Sequence, residues 1–225
     1  MAFDLQTFKT RTLTAAVFVI IMLTGLLWNK WSFLILFLII HWRCWREYFS
    51  LIRKIDPIKY LGKIPWGIIY ITLPILLLLL MRTPIGETKD ETIFRVLPCG
   101  IIFSIWINDT MAYIVGSLIG KHPISKISPK KTWEGTIGGI ILCVVVITIA
   151  GTLSGYYTTK DWIAISLLSG VFGSIGDLIE SKIKRMAGVK DSGNIMPGHG
   201  GFLDRFDSLL VATPAVYVWY YFFMM

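Results

Sequence analysis

Charged residues are scarce in this chain, and acidic residues are the scarcest of them. Only 16% of its 225 residues are charged, against roughly 25% in a typical soluble domain. There are 14 acidic and 22 basic residues, and 55% of the sequence is hydrophobic, with a mean hydropathy of +0.67. A soluble core of this length cannot bury so much apolar surface. The composition therefore excludes a soluble globular protein and indicates an integral membrane protein.

Cysteine is also rare, and its spacing excludes two classes of site. Cys44, Cys99 and Cys143 stand singly in or beside apolar runs, without the CxxC or Cys/His spacing of a zinc site. An odd number of isolated cysteines is typical of small buried residues and not of a disulfide framework. The first apolar run follows basic residues, as a signal peptide does, but it lacks a small-residue cleavage site. We therefore expect a retained span.

Long apolar runs are abundant, and several approach the roughly 20 residues that cross a bilayer. They predict an all-α polytopic membrane protein with about seven transmembrane helices. The predicted spans cover residues 12–28, 31–49, 64–81, 96–120, 135–156, 162–180 and 205–224. Because only Asn29 and Lys30 separate the first two spans, these should form a tight helical hairpin.

The second predicted span carries charges at its end. Its apolar part stops near Ile40, and three charged residues follow within the next seven positions. We expect Arg43, Arg46 and Glu47 to lie at the membrane interface or to extend towards it.

The distribution of Lys and Arg predicts the orientation of the chain. With a cytoplasmic N-terminus, 17 of the 22 basic residues fall in cytoplasmic segments, as the positive-inside rule requires. Contact with anionic lipid then explains much of the net charge of +8, so no nucleic-acid partner is expected. The two most polar loops face the cytoplasm, where nucleotides are available.

The segment 181–207, SKIKRMAGVKDSGNIMPGHGGFLDRFD, concentrates polar residues between two apolar runs. Its cations can neutralise phosphates, and Asp204 and Asp207 can hold a hard cation. Four of its five glycines, at 193, 198, 200 and 201, let backbone amides approach an anion closely. The cationic and imidazole side chains are Lys182, Lys184, Arg185, Lys190, His199 and Arg205. The segment predicts phosphate chemistry.

Two carboxylates, Asp109 and Asp177, lie inside apolar helices. At that depth a carboxylate requires a cation, a proton or a polar cavity. The alternative is a protonated carboxyl group that bridges helices and serves assembly only. Asp177, Glu180 and Lys184 stand at i, i+3 and i+7 and so share one helix face. Oxygen ligands without a His/Cys set favour Mg²⁺ over zinc.

A second basic loop, KHPISKISPKKTWE, covers residues 121–134 and precedes a glycine-rich helix start. Lysines beside a helix N-terminus suit a triphosphate, because the helix adds a favourable dipole and free amides. The loop is not a Walker A motif. An ordinary basic cytoplasmic loop is the alternative interpretation.

The pattern S-x-I-K-R-x4-K-D-S-G-x-x-M-P-G-H-G-G-F-x-D-R-F-D resembles the signature of phosphatidate cytidylyltransferases, also called CDP-diacylglycerol synthases. The stretches SPKKTWEG and GDLIESKIKR and the pair Asn108-Asp109 resemble the same family. Met196 stands where that family is expected to carry Leu, Ile or Phe, which is a conservative change. The chain is short for the family.

The resemblance runs from about residue 104 to 216, while the N-terminal third matches only as generic spans. It divides the chain into N-terminal transmembrane helices, 1–95, and a catalytic transmembrane region, 96–225, with the signature at 181–207.

The resemblance implies transfer of a cytidylyl group from CTP to phosphatidic acid, giving CDP-diacylglycerol and pyrophosphate with Mg²⁺ and room for a second cation. It implies Asp177 and Asp204 as the main metal ligands, with Glu180 and Asp207 as outer or second-metal ligands. It also implies a homodimer. The residues that it assigns to CTP or the lipid phosphate are Lys130, Lys131, Lys184, Arg185 and Arg205.

Further residues are assigned less closely by the same resemblance. His199 contacts a phosphate or the leaving group, unless it is a structural turn residue. Asp109 holds a metal-bound water, a lysine or a hydroxyl group. Lys190 and Asp191 either bind substrate or pair with each other. The remaining substrate-binding candidates are Ser128, Thr132 and Glu134.

Three other functions fit some of these features. A related CTP-dependent enzyme could use an isoprenoid lipid phosphate or phosphorylate a long-chain alcohol, because apolar walls read the acceptor tail. An ion-coupled transporter would also place Asp109 and Asp177 in the membrane, but it predicts broken helices and repeat symmetry, and the sequence contains no internal repeat. A non-catalytic scaffold would not need the acidic and basic motif positions.

Overall fold

The computed structural model describes residues 5–83, 91–194 and 200–224. Its first two helices, α1 (Leu5–Leu27) and α2 (Lys30–Ile55), form the predicted hairpin. The side-chain oxygen of Asn29 accepts a hydrogen bond from the backbone N–H of Ser32 at 2.8 Å. In return, the Ser32 hydroxyl accepts one from the Asn29 N–H at 3.1 Å. This reciprocal capping box fixes where α2 begins.

The third apolar run forms a broken helix. Its parts are a 3₁₀ turn (Tyr60–Lys63), α3 (Ile64–Gly67), a π-helical turn (Ile68–Thr72) and α4 (Leu73–Met81). Pro74 has no N–H to donate to the carbonyl of Tyr70, and its ring crowds that carbonyl. The backbone therefore widens into a π turn just before the proline. The indole of Trp45 on α2 donates to the hydroxyl of Thr72 at 2.9 Å, which ties α2 to this turn.

The C-terminal part of the chain contains four long helices and a short hairpin. Its elements are α5 (Glu91–Ile119), β1 (Pro123–Ser125), β2 (Ser128–Thr132), α6 (Trp133–Ser154), α7 (Thr159–Met186), α8 (Leu203–Trp219) and a π-helical turn (Tyr220–Met224). β1 and β2 pair antiparallel. The sequence predicts only a loop here, because strands this short and polar carry no alternating pattern.

Small residues bring the C-terminal helices close together. A Cβ atom on Gly139 of α6 would lie 2.7 Å from the Cβ of Ala112 on α5. A Cβ on Gly176 of α7 would lie 2.5 Å from the carbonyl oxygen of Asp207 and 3.1 Å from the Cα of Ser208, both on α8. Such contacts are typical of membrane helices that pack through small residues. They place the polar residues of α5, α7 and α8 around a common space.

Several helices have the length and composition of membrane spans. Among the described residues, the candidate spans are Tyr60–Met81, Thr92–Ile119, Trp133–Ser154 and Thr159–Met186, with a shorter apolar helix at Thr12–Leu27. Large apolar side chains such as Ile141 and Leu153 are exposed on the outer faces, where lipid would cover them. The chain is therefore an integral membrane protein built almost wholly of α-helices, as the composition predicts.

Glu47 on α2 departs from the prediction. It lies on the buried stripe of that helix, which comprises Phe33, Phe37, Ile40, Cys44, Glu47 and Leu51. The side chain of Glu47 is buried, with 6% of its surface exposed. Helical spacing turns it towards the other helices, so it does not extend outwards as the sequence analysis expects. Arg46, one position earlier, is exposed and stacks over Trp42 at 5.2 Å.

Candidate active site

A polar cavity of about 580 Å³ lies between α5, β2, the start of α6, α7 and the start of α8. It brings together nine of the residues predicted to form the site. These are Asp109, Lys130, Lys131, Thr132, Asp177, Lys184, Asp204, Arg205 and Asp207. One wall is apolar and includes Phe18, Ile105 and Trp106.

A larger cavity of about 820 Å³ lies elsewhere, between the broken third helix, α7 and α8. Its lining is almost entirely apolar, with residues such as Trp66, Phe172 and Leu210. Size alone would single it out, but its lining, as far as the chain is described, contains no ionisable groups other than tyrosines. The chemistry-bearing side chains converge on the smaller, polar cavity.

The β1–β2 hairpin delivers Lys131 to this cavity. The Lys131 ammonium contacts the Oδ2 atom of Asp177 on α7. Partial burial lowers the pKa of the Lys131 amine below its ordinary value, although the carboxylates of Asp109 and Asp207 act in the opposite direction. Next in the chain, the side chain of Thr132 accepts a hydrogen bond from the Gly135 N–H at 3.2 Å and so caps α6. The lysines thus stand beside a helix N-terminus.

Lys184 joins α7 to α8 through two carboxylates. Its ammonium contacts Oε2 of Glu180 one turn earlier on α7. It also lies 2.6 Å from Oδ1 of Asp204 at the start of α8. Glu180 is fully buried, and Lys184 and Asp204 are nearly so. Such a network is stable only when each buried charge has a partner of opposite charge.

Three carboxylates form a group that fits a hard cation. Ligand oxygens of Asp177, Glu180 and Asp207 all lie within 4.8 Å of one another. Among the described residues, Oε1 of the buried Glu180 has no hydrogen-bond partner. A buried carboxylate oxygen without a partner lowers the stability of the fold, and a bound cation would offset that loss. The three side chains offer only oxygen ligands, which is the donor set that Mg²⁺ prefers.

The carboxylate of Asp204 is occupied by other contacts. Oδ2 accepts hydrogen bonds from the backbone N–H of Ser192 at 2.9 Å and from the Gly201 N–H at 2.7 Å, and it lies 2.9 Å from the hydroxyl oxygen of Ser192. Oδ1 faces Lys184. The assignment of Asp204 as a metal ligand stays a prediction, and the described contacts make it an anchor of the signature segment.

Several predicted site residues lie away from the cavity or outside the described residues. Glu134 accepts hydrogen bonds from the backbone of Lys121 and His122 and lies 2.5 Å from the His122 ring, so it braces the hairpin. Ser128 pairs with Ser125 between the strands.

Three predicted site residues at and after the end of α7, Arg185, Lys190 and Asp191, point outwards. Arg185 donates to the carbonyl of Val189 at 2.9 Å. Lys190 and Asp191, both within the described residues, are exposed and form no ion pair with each other. His199 and Met196 lie outside the described residues, so the predicted role of His199 stays a prediction.

Glu47 is a residue beside the candidate site that the sequence interpretation did not connect with it. Its Oε1 accepts a hydrogen bond from the Phe202 N–H at 2.8 Å, and its Oε2 accepts one from the Leu203 N–H at 2.8 Å. The Ser192 hydroxyl donates to Oε2 at 2.6 Å. A Cβ atom on Gly193 would lie 2.7 Å from Oε1, so glycine makes room for the carboxylate. The anion that the N–H groups of Phe202 and Leu203 bind is therefore the carboxylate of Glu47, which belongs to the protein itself.

Comparison with known proteins agrees with the geometry. Residues 59–223 match the model of the cytidylyltransferase family. The chain is 44% identical over 131 residues to a phosphatidate cytidylyltransferase of Staphylococcus aureus (strain COL), which covers 57% of this chain and 49% of that protein. A phosphatidate cytidylyltransferase of Staphylococcus haemolyticus (strain JCSC1435) is 47% identical over 113 residues, covering 49% and 43% respectively. The chain spans about half the length of the curated relatives it matches.

The family match includes every residue of the polar cavity except Phe18. It covers well over half of the chain and agrees with the motif resemblance at residues 104–216. This chain belongs to the cytidylyltransferase family.

Proposed function

We propose that this chain transfers a cytidylyl group from CTP to phosphatidic acid, forming CDP-diacylglycerol and releasing pyrophosphate. The observation that carries the proposal is the convergence of Lys131 and Lys184 with four carboxylates in one cavity, those of Asp109, Asp177, Asp204 and Asp207. That cavity lies in the region matched by the family. The names of the relatives support the same pair of substrates. The family match does not favour a transporter or an enzyme for isoprenoid acceptors.

The reaction needs charge compensation more than proton transfer. A phosphate monoester carries about −1.5 to −2 charges at pH 7, so the lipid phosphate is already a nucleophile. One of its oxygens attacks the α-phosphorus of CTP and forms a new P–O bond. The bond from that phosphorus to the bridging oxygen of the β-phosphate breaks, and pyrophosphate leaves with the electron pair. The main barrier is repulsion between two polyanions, which positioned cations reduce.

The hairpin side of the cavity suits the triphosphate of CTP. Lys130 and Lys131 supply two cations from β2. The N-terminus of α6, capped by Thr132, adds the positive end of a helix dipole. In this arrangement Lys131 exchanges its contact with Asp177 for a phosphate oxygen when CTP binds.

The opposite side suits a lipid phosphate. Lys184 and Arg205 line the cavity near the start of α8. The apolar wall at Phe18, Ile105 and Trp106 can accept the first carbons of a diacylglycerol without exposing them to the charged groups. Lys184 is fixed by Glu180 and Asp204, so a phosphate bound to it is oriented by both helices.

We propose that Asp177, Glu180 and Asp207 hold Mg²⁺, since their oxygens are close enough to share one ion and include the unpartnered oxygen of Glu180. Bound there, Mg²⁺ would neutralise phosphate charge and stabilise the leaving pyrophosphate. A second cation remains part of the proposal. Asp109, held 3.4 Å from the Asn108 amide, lines the same cavity and would orient a metal-bound water or a lysine.

The proposed topology has seven spans with the N-terminus and the active site on the cytoplasmic side. It rests on the helices at all seven predicted positions and on the excess of Lys and Arg in the segments assigned to the cytoplasm. Cysteine labelling at exposed Lys126 and Lys160 positions from either side of sealed vesicles would test it. We also propose a homodimer, which cross-linking in the native membrane would test.

The decisive experiment uses the full chain purified in detergent with phosphatidic acid, radiolabelled CTP and Mg²⁺. We expect label in the lipid phase, no label with EDTA, and none from Asp177→Asn. Parallel reactions with an isoprenoid lipid phosphate and a long-chain alcohol test the other acceptors. Folded protein that labels only these acceptors, or labels no lipid at all, would overturn the proposal.

A further inference from the structure

We propose that Glu47, on α2, is a positioning residue that holds the signature segment and through it Lys184 in the active site. The inference rests on the proposed function, because it assigns Glu47 to the same reaction. No motif of the resemblance includes Glu47, and it lies before residue 59, where the family match begins. Its link to the site comes from contacts in the folded chain.

Glu47 joins two separate parts of the signature. On one side it accepts a hydrogen bond from the Ser192 hydroxyl at 2.6 Å. On the other it accepts hydrogen bonds from the N–H groups of Phe202 and Leu203, each at 2.8 Å. These partners are 145 and more residues away in sequence. One buried carboxylate therefore joins Ser192 to the start of α8.

The start of α8 needs a partner that its own sequence lacks. Phe202 occupies the N-cap position, and a phenylalanine side chain has no acceptor for the free N–H groups of the first turn. Glu47 supplies two acceptor oxygens from another helix. Its negative charge also suits the positive end of the α8 dipole. A buried carboxylate is stable here because donors surround it.

Ser192 connects Glu47 to the catalytic groups. Its hydroxyl oxygen lies 2.6 Å from Oε2 of Glu47 and 2.9 Å from Oδ2 of Asp204. A hydroxyl has one proton and can donate to only one of them at a time. The Ser192 N–H also donates to Asp204 at 2.9 Å, and Asp204 in turn lies 2.6 Å from the Lys184 ammonium. A shift of Glu47 would therefore move Ser192, and through Ser192 and Asp204 it would change the position of the Lys184 ammonium.

Glu47→Gln separates this role from packing, because it keeps the size of the side chain. An amide offers one oxygen and an NH₂ group, whereas Glu47 receives three donors on two oxygens. In the variant, at least one of these three donors would face the NH₂ group of the glutamine, which is itself a donor. Because the mispaired amide would shift Ser192 and the start of α8, we expect kcat to fall about 10- to 100-fold. The KM for CTP should change less than about threefold, because Lys130 and Lys131 bind on the hairpin side.

The control is Asp56→Asn, which removes a carboxylate from the C-terminal end of the same helix. Asp56 accepts hydrogen bonds only from nearby backbone and Lys63 among the described residues. We expect wild-type kcat and KM. Glu47→Asp should restore part of the lost kcat, since it returns the charge with a shorter reach. Ser192→Ala should lower kcat by itself and add little to Glu47→Gln, because both act through one connection.

A second readout does not depend on activity. Hydrogen–deuterium exchange of the full chain in detergent should be about tenfold or more faster in Glu47→Gln for peptides covering residues 200–206. Peptides from α6 should exchange as in the wild type. If the wild type shows no cytidylyl transfer, the proposed function fails, and the exchange result still tests whether Glu47 holds this segment.

Three results would overturn the inference. The first is wild-type kcat in Glu47→Gln. The second is unchanged exchange at residues 200–206. The third is faster exchange throughout the chain together with lost activity, which would assign Glu47 to general stability. If Glu47→Gln does not fold, Glu47→Asp and Ser192→Ala are judged by the same two readouts.

Discussion

The ammonium group of Lys131 contacts the carboxylate of Asp177, 46 residues further along the chain. This pair joins the β1–β2 hairpin to the middle of α7, and so joins the basic loop to the acidic helix face. In the proposed reaction each partner has another use, since a triphosphate attracts the lysine and Mg²⁺ attracts the aspartate. The pair compensates both charges until the substrates bind.

Replacing Lys131 by alanine should mainly weaken CTP binding. The variant loses one cation that faces the triphosphate, so we expect the KM for CTP to rise about 10- to 100-fold, with a smaller change in kcat. Steady-state kinetics over a range of CTP concentrations measure both. Lys126→Ala is the matched control, because Lys126 is exposed in the turn of the same hairpin and does not line the cavity. An unchanged KM in Lys131→Ala would place the hairpin outside the nucleotide site.

Asp177→Asn should abolish turnover while the protein still folds. The amide keeps the shape of the carboxylate and can still accept the hydrogen bond from Ser181, which spans 3.3 Å. It lacks the charge that Mg²⁺ and Lys131 need, so we expect kcat to fall by about 10³-fold or more. Lipid labelling measures the loss, and gel filtration checks that the variant elutes like the wild type. Near-normal turnover would rule out Asp177 as a metal ligand.

Glu180 and Asp204 should respond differently to Mg²⁺. Glu180 belongs to the close carboxylate group, whereas Asp204 is occupied by Lys184 and the backbone. We expect Glu180→Gln to raise the Mg²⁺ concentration for half-maximal activity about tenfold, since it removes a charged ligand. Asp204→Asn should lower kcat without that increase, because it disturbs the orientation of Lys184.

A Mg²⁺ titration of residual activity in both variants measures this difference. An equal increase in the two variants would return Asp204 to the ligand set that the resemblance implies. A larger increase in Asp204→Asn than in Glu180→Gln would contradict the assignment from geometry.

The sequence predicts the local features of this fold well. Helices occur at all seven predicted positions, because apolar runs and their polar boundaries are local properties. The shared face of Asp177, Glu180 and Lys184 follows from helical spacing alone. Glu180 and Lys184 do form an ion pair one turn apart.

Contacts between distant segments could not be predicted in the same way. The approach of Asp207 to Asp177 depends on Gly176, which lets α8 pack against α7. Glu134 lies in a family-like motif, but a short hairpin turns it towards His122 and away from the cavity. Position in a motif does not determine which way a side chain points.

Glu47 shows how a local interpretation failed while a periodic one would have succeeded. Hydropathy falls after Ile40, which suggested a membrane interface. Yet the spacing from Phe37 through Cys44 to Leu51 places Glu47 on the buried stripe of α2. The sequence could therefore have indicated a buried carboxylate. Its partners, on α8 and before it, could only be known from the fold.

Two glycine substitutions should separate loss of function from loss of stability. A Cβ atom on Gly201 would lie 2.6 Å from the carboxylate carbon of Glu47, so Gly201→Ala must displace that carboxylate. We expect kcat to fall about tenfold or more, as in Glu47→Gln. Gly155, the left-handed C-cap of α6 with φ of 75°, has open space around it. Gly155→Ala should cost only about 1 kcal/mol of backbone strain and leave kcat unchanged. Thermal unfolding and kinetics of both variants test this, and equal kcat in the two would show that the space beside Glu47 is not required.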